Sequence, residues 1–175
     1  GLGNVTGLEQ ITVTQNSNTG DSLSVTGTVD HDTIEFRATS GTTGEITGEG
    51  SSLLIAYSNR LDTSSLTVSG GSAGFDILRV QGGSGADTVT SGSATRITSA
   101  GSVDLGSNLD RLEIVTGSGD DTVTLSHAIA LPKFIDVGDG NDTVDLSGAG
   151  AVDPTILGGA GDDVLIGTPG IDLIL

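Results

Sequence analysis

The sequence predicts an all-β fold, a right-handed parallel β-solenoid of the β-roll or β-helix kind, with about 21 residues per coil in its C-terminal half. Three observations carry that expectation. Val, Leu and Ile recur on alternating positions along most of the chain, the period of a strand with one buried face. Short Gly- and Asp-containing segments recur at fixed spacing through the second half. No segment makes a case for a helix: the best, Ser51–Arg60, has a short apolar run with β-like flanks.

Taken from the N-terminus, Leu8–Val13, Ser64–Val68 and Leu109–Ile114 open similar blocks. A shift of 55 residues lays Ile11 on Leu66, Val13 on Val68, Asp21 on Asp76, Leu23 on Leu78 and Asp32 on Asp87. A further shift of 46 carries Leu66 onto Leu112 and Val68 onto Ile114. These unequal periods require insertions, placed around Thr39–Gly50 and Ser91–Ser107. Beyond them, one 21-residue unit reads as strand Thr122–Leu125, loop Ser126–Pro132, strand Lys133–Val137 and a Gly-rich turn. Val123, Leu125, Phe134 or Ile135, and Val137 point inward. Pro132, Pro154 and Pro169 fall in predicted loops, where a missing N–H is harmless. The expectation is one continuous stack over residues 1–175, of roughly eight coils and about 40 Å. Residues 1–70 are degenerate repeats without metal, and 71–175 carry the Gly-Asp repeats.

Composition narrows the function. Acids outnumber bases 23 to 6, for a net charge of −17 and a pI near 4.1. Phosphate contacts need clustered Lys and Arg, so nucleic acid and anionic membrane are poor partners, and cations are favoured ones. The absence of Cys excludes disulfides, zinc–thiolate sites and cysteine nucleophiles. One Tyr, three Phe and no Trp exclude an aromatic-centred core. No apolar run approaches the ~20 residues that cross a bilayer as a helix, so no membrane insertion is expected. A mean hydropathy of +0.11 with 17% charged residues argues against a disordered acidic chain.

Four segments align without gaps: GGSGADTVT (82–90), TGSGDDTVT (116–124), VGDGNDTVD (137–145) and GGAGDDVLI (158–166). Each carries Gly-x-Gly-x-Asp with an apolar residue two places on. GTPGIDLIL (167–175) follows at once, and GSAGFDILR (71–79) keeps two of the glycines. Asp121, Asp142 and Asp163 lie 21 residues apart; Asp172 follows after nine, where the turn chemistry moves to both sides of the stack. A Gly-x-Gly turn reaches φ > 0 and turns carbonyl oxygens inward. Calcium takes six to eight hard oxygens, which two stacked turns with an Asp each can supply together. Without a cation, stacked Asp121, Asp142 and Asp163 put like charges about 5 Å apart, and Asp120, Asp139 and Asp162 worsen it. From Gly117 to Leu175 ten acids face one base, Lys133, a net of −9. Magnesium, which keeps its waters and a rigid octahedron, fits less well.

These nonapeptides resemble the G-G-x-G-x-D-x-U-x repeat of the RTX, or haemolysin-type calcium-binding, family, specifically over 82–175 and weakly before Gly71. The resemblance implies a parallel β-roll with Ca2+ between stacked turns, and secretion, typically by a Gram-negative bacterium. Carried over by position, it implies calcium ligation by Asp87, Asp121, Asp142, Asp163 and Asp172, beside Asp120, Asp139 and Asp162. The turn glycines are Gly83, Gly85, Gly117, Gly119, Gly138, Gly140, Gly159 and Gly161. The family steps 18 residues per coil with turns on both sides, whereas a 21-residue step leaves one main row of sites. Asp21, Asp32 and Asp76 are read as turn aspartates outside that row.

Other chemistry is not supported. His31 and His127 lack a third partner at defined spacing and read as solvated loop histidines. Arg37, Arg60, Arg79, Arg96, Arg111 and Lys133 read as a ladder along a strand face that neutralises nearby acids. The Thr-x-Thr pairs give way to Leu, Asp and Ser in later copies, so β-propensity explains them better than a flat ice-binding ladder. An apolar last nonapeptide and an early first strand suggest a segment of a larger protein. The expected function is a non-enzymatic, calcium-binding extracellular or cell-surface segment of structural, adhesin or surface-layer type. Its partners would be calcium, neighbouring coils or a cell-surface or matrix component. The alternative is the accessory repeat region of a secreted hydrolase or polysaccharide lyase.

Overall fold

A computed structural model describes residues 10–14, 22–27, 30–40, 43–48, 54–57, 65–93, 96–98 and 102–175. Asp21 and Arg60 lie outside the described residues. Those described contain no helix and form strands β1 (Gln10–Thr14), β2 (Ser22–Thr26), β3 (Thr33–Ser40), β4 (Thr43–Gly48), β5 (Leu54–Tyr57), β6 (Ser65–Ser69), β7 (Ile77–Gln81), β8 (Thr88–Ser93) and β9 (Arg96–Thr98). They continue as β10 (Ser102–Leu105), β11 (Arg111–Val115), β12 (Thr122–Thr124), β13 (Lys133–Asp136), β14 (Thr143–Asp145), β15 (Pro154–Leu157), β16 (Val164–Ile166) and β17 (Leu173–Ile174). A nine-stranded sheet runs β1-β2-β6-β10-β9-β8-β12-β14-β16, and an eight-stranded sheet runs β17-β15-β13-β11-β7-β3-β4-β5.

From β11 onward the chain alternates between the sheets, and each strand pairs in parallel with the strand two places on. The 21-residue period sets the register: Thr122 lies opposite Thr143, and Thr143 opposite Val164. The last step is shorter, with Thr155 opposite Leu173. Alternation sends Val123, Val144, Leu78, Val80, Leu112, Ile114, Ile135 and Ile156 into one buried cluster fed by both sheets. At the ambiguous pair, Ile135 is the inward residue. Phe134 faces outward with its ring centroid 5.9 Å from the Arg111 guanidinium, which also lies 5.9 Å from the Phe75 ring.

Both expected insertion zones hold antiparallel strands. β4 folds back on β3 and β5 on β4, while β9 sits between β8 and β10. The 55- and 46-residue shifts are overturned. Leu23 pairs with Leu66 and Asp32 leads into the register Thr33–Ile77, shifts of 43 and 44. β6 meets β10, not β11. Alternating Val, Leu and Ile look alike in either sheet, so the shifts laid β2 on β7 and β6 on β11, strands of the other sheet. Pro154 also departs from expectation. It opens β15 rather than lying in a loop, a position where a strand tolerates proline.

The bases divide. Register places Arg79 between Glu35 and Glu113, and Arg79 pairs with Glu113 at 2.8 Å; Arg111 pairs with the same carboxylate. Lys133 neutralises no ladder. It is buried, its Nζ donates to the carbonyls of Ile129 and Leu131 at 2.9 and 3.0 Å, and burial pulls its pKa down. Ile135→Ala should lower unfolding free energy by about 2–5 kcal/mol, and the outward Thr122→Ala by under about 0.5 kcal/mol. Denaturant melts would check this; equal losses would contradict the assigned faces.

Candidate metal centre

Among the described residues four turns lead from the eight-stranded to the nine-stranded sheet: residues 82–87, 116–121, 137–142 and 158–163. Parallel register stacks them, and backbone bonds hold the stack. Asp139 N–H donates to Gly117 O at 3.0 Å, and Ala160 N–H donates to Gly138 O at 3.0 Å. Ser118, Asp139 and Ala160 thereby pair as a miniature parallel ladder. Such close turns need glycine at Gly138, where φ is 86° and an added Cβ would collide with Gly117 O. Gly117, Gly119, Gly140, Gly159 and Gly161 share positive φ. Gly83 and Gly85 do not carry this constraint: both are exposed, and a Cβ on Gly85 would meet nothing. The glycine carbonyls are also used differently from expectation. Those of Gly117 and Gly138 run along the stack to the next turn, each keeping one further lone pair.

The aspartates that close these turns form a ladder of their own. Asp87 N–H donates to Asp121 Oδ1 at 2.7 Å, Asp121 N–H to Asp142 Oδ1 at 2.8 Å, and Asp142 N–H to Asp163 Oδ1 at 3.0 Å. Each such charge-assisted bond contributes about 1.5–3 kcal/mol. Asp121 and Asp142 are only 1% exposed, while Asp87 and Asp163 are half-buried. The second oxygens, Asp121 Oδ2 and Asp142 Oδ2, are buried with no hydrogen-bond partner. Burial pushes the Asp142 carboxyl above its ordinary range; the Asp121 N–H opposes this, and the charges of Asp121, Asp163 and Asp120 add to it.

A second, exposed row lies beside the first. Asn141 donates to Asp120 Oδ1 through its N–H at 2.9 Å and its Nδ2 at 3.3 Å, and Asp162 N–H donates to Asn141 Oδ1 at 3.0 Å. Asn141 thus puts a neutral amide between two acids. Asp139 is exposed and enters the stack through its backbone alone. Asp172 lies at the opposite edge, in the turn between β16 and β17, and accepts the Thr168 hydroxyl at 2.8 Å.

That opposite edge holds a ladder the sequence reading missed. Asp32 N–H donates to Asp76 Oδ1 at 3.1 Å, and Asp76 N–H donates to Asp110 Oδ2 at 2.8 Å. One signal was present: Asp76 to Asp110 spans 34 residues, as does Asp87 to Asp121. Both histidines are exposed yet bonded, His31 to the neighbouring turn and His127 to strand β8. Phe75 N–H donates to His31 Nδ1 at 2.6 Å, and His127 N–H donates to Ser91 Oγ at 3.1 Å.

No family model, curated protein or solved structure matches the chain.

Gly138→Ala should cost at least about 2 kcal/mol, from strain at positive φ plus the collision, whereas Gly85→Ala should be close to neutral. Thermal melts of the two variants check this. A carboxyl whose pKa is raised on folding binds protons better folded than unfolded. Acid therefore adds stability between the raised value and the ordinary 3.8, and the gain is lost as pH rises through the folded value. Asp145, held below 3.8 by hydrogen bonds from the Ser147 hydroxyl and N–H, acts oppositely at lower pH. In chelator, the wild-type melting temperature should gain on that of Asp142→Asn as pH falls from about 7 toward about 4. A pH-independent gap between them would contradict the assignment.

Proposed function

We propose that this chain is a calcium-binding, non-enzymatic β-solenoid of the extracellular or cell-surface kind, whose stacked turns are stiffened by the ion. The observation that carries the reading is the pair of buried, unpartnered oxygens, Asp121 Oδ2 and Asp142 Oδ2, in consecutive turns. Two buried carboxylate oxygens without hydrogen-bond donors suit a cation better than water or a neutral group. Among the described residues no group of three or more His, Cys, Asp or Glu is placed to hold a metal. The donor set is therefore two carboxylates completed by backbone carbonyls and water, a mixture calcium accepts and zinc does not favour. The net charge of −17 favours the same class of partner.

Parallel pairing at a 21-residue step, with strands alternating between two sheets, supports the solenoid part of the reading. The His31 ring accepting the Phe75 N–H of the neighbouring turn supports a structural rather than catalytic role for it. Calcium would compensate the stacked charges of Asp121 and Asp142, so the C-terminal turns would tighten at extracellular calcium concentrations and loosen where calcium is scarce.

After chelation, calcium should raise the melting temperature with half-saturation near 10⁻⁴–10⁻³ M, roughly the range of extracellular modules. At a hundredfold excess over Kd the gain should be about 2.7 kcal/mol, or about 5–10 °C. The double variant Asp121→Asn/Asp142→Asn should lose that response, and magnesium should give much less of it. Calorimetry and circular dichroism test this; a chelated protein that ignores calcium would refute it.

A further inference from the structure

One position recurs along both edges of the stack: the residue two places before a strand. Three side chains at this position accept the backbone N–H of the corresponding residue in the next turn. Asp120, two residues before β12, accepts the Asn141 N–H at 2.9 Å. Asn141, two before β14, accepts the Asp162 N–H at 3.0 Å. His31, two before β3, does the same on the other edge: its Nδ1 accepts the N–H of Phe75, two before β7, at 2.6 Å. Further along that edge the position is held by Leu109, Leu131, Val152 and Ile171, whose side chains accept nothing. An imidazole thus makes a rung that a carboxylate and an amide make elsewhere.

The difference is chemical. A backbone N–H can only donate, so Nδ1 of His31 carries a lone pair and the ring proton sits on Nε2. The two turns are in close contact, since a Cβ on Gly74 would collide with Asp30 O. Two N–H groups cannot face each other across 2.6 Å, so a proton on Nδ1 breaks the rung. Imidazole is the side chain whose ordinary titration falls between about pH 5 and 8, whereas an amide accepts throughout that range. His127 is bonded in the opposite sense. Its Nδ1 lies 3.0 Å from Ser91 O, a carbonyl that can only accept, so the ring donates there whether neutral or protonated.

We infer that the His31–Phe75 rung is an acid-opened joint between the turn before β3 and the turn before β7. At pH 8 the neutral ring straps the two turns together, and toward pH 5 the imidazolium releases the Phe75 N–H. The charged groups around the ring are Asp30 and Asp32 beside it in the chain and Asp76 in the facing turn, whose own N–H goes to Asp110. Arg111 lies against the Phe75 ring, 5.9 Å from its centroid. The carboxylates favour the imidazolium once it forms, so acid exchanges a hydrogen bond for charge attraction. The bond from Asp32 N–H to Asp76 Oδ1 and the Thr33–Ile77 register do not involve the ring, and they keep the strands in place when it opens. The joint is independent of calcium, which the proposed function assigns to other turns.

Hydrogen exchange read by NMR in chelator tests the joint. Corrected for intrinsic exchange, protection of the Phe75 amide should fall about tenfold from pH 8 to pH 5. That of Asp162, held by the Asn141 amide, should stay level. His31→Asn supplies the acceptor that Asn141 uses and should keep the Phe75 amide protected at both pH values, and His31→Ala should lose the protection at both. Imidazole nitrogen shifts at pH 8 should place the proton on Nε2 of His31 and on Nδ1 of His127. A Phe75 amide equally protected at pH 8 and pH 5, an equal acid loss in His31→Asn, or a proton on Nδ1 of His31 at pH 8 would overturn the joint. The calcium reading stands or falls separately, on the melting shift in added calcium.

Discussion

The structure depends on one repeated contact, a carboxylate oxygen of a turn-closing aspartate accepting the backbone N–H of the corresponding aspartate in the neighbouring turn. It occurs along both edges, through Asp87, Asp121, Asp142 and Asp163 on one and Asp32, Asp76 and Asp110 on the other. Each bond satisfies a backbone donor just before a strand begins, where the sheet ladder has not yet started. It therefore fixes strand register at its first residue. Thr122 donates its N–H to Asp87 O, Thr143 to Asp121 O and Val164 to Asp142 O, so the ladder hands over directly to the sheet. Short strands of three residues, such as β12, β14 and β16, can hold register because the turns beside them already do.

The same contact creates the molecule's main electrostatic problem. Stacking one aspartate per turn lines up like charges at the strand spacing, about 4.8 Å. Several local devices reduce the cost. Asn141 interrupts the exposed row between Asp120 and Asp162. At Asp76 and Asp87 the second carboxylate oxygen takes a glycine N–H. Asp121 and Asp142 have no such relief at Oδ2. Lys133, the one base of the C-terminal third, is committed to loop carbonyls at the opposite edge from these carboxylates. Among the described residues, the buried carboxylate oxygens without a donor are confined to two adjacent turns, which is why the calcium proposal centres there.

The N-terminal half is built by the same alternation but interrupted by antiparallel strands. β4 and β5 extend the eight-stranded sheet, and β9 lengthens the nine-stranded one between β8 and β10. These insertions stretch the spacing between equivalent residues to 43 or 44 for the first step and 34 for the next. After them the period settles at 21.

The sequence by itself determined the all-β character, the 21-residue parallel register from Asp121 to Asp163 and the turn positions of Asp121, Asp142 and Asp163. Along that edge the spacing is uniform from Asp121 to Asp163 and the Gly-x-Gly-x-Asp pattern marks each turn, so local chemistry alone sets the register. Only the tertiary structure decided the N-terminal register, because Val, Leu and Ile alternate identically in both sheets and a one-dimensional shift cannot tell which sheet a strand joins. It also decided that Asp32, Asp76 and Asp110 form a second ladder and that Asp172 belongs to their edge. And it decided that Asp120, Asp139 and Asp162 lie outside while Asp121 and Asp142 lie inside. Burial and the partner of each carboxylate oxygen depend on what the neighbouring turn presents, and residues 21 to 44 positions away supply that neighbour.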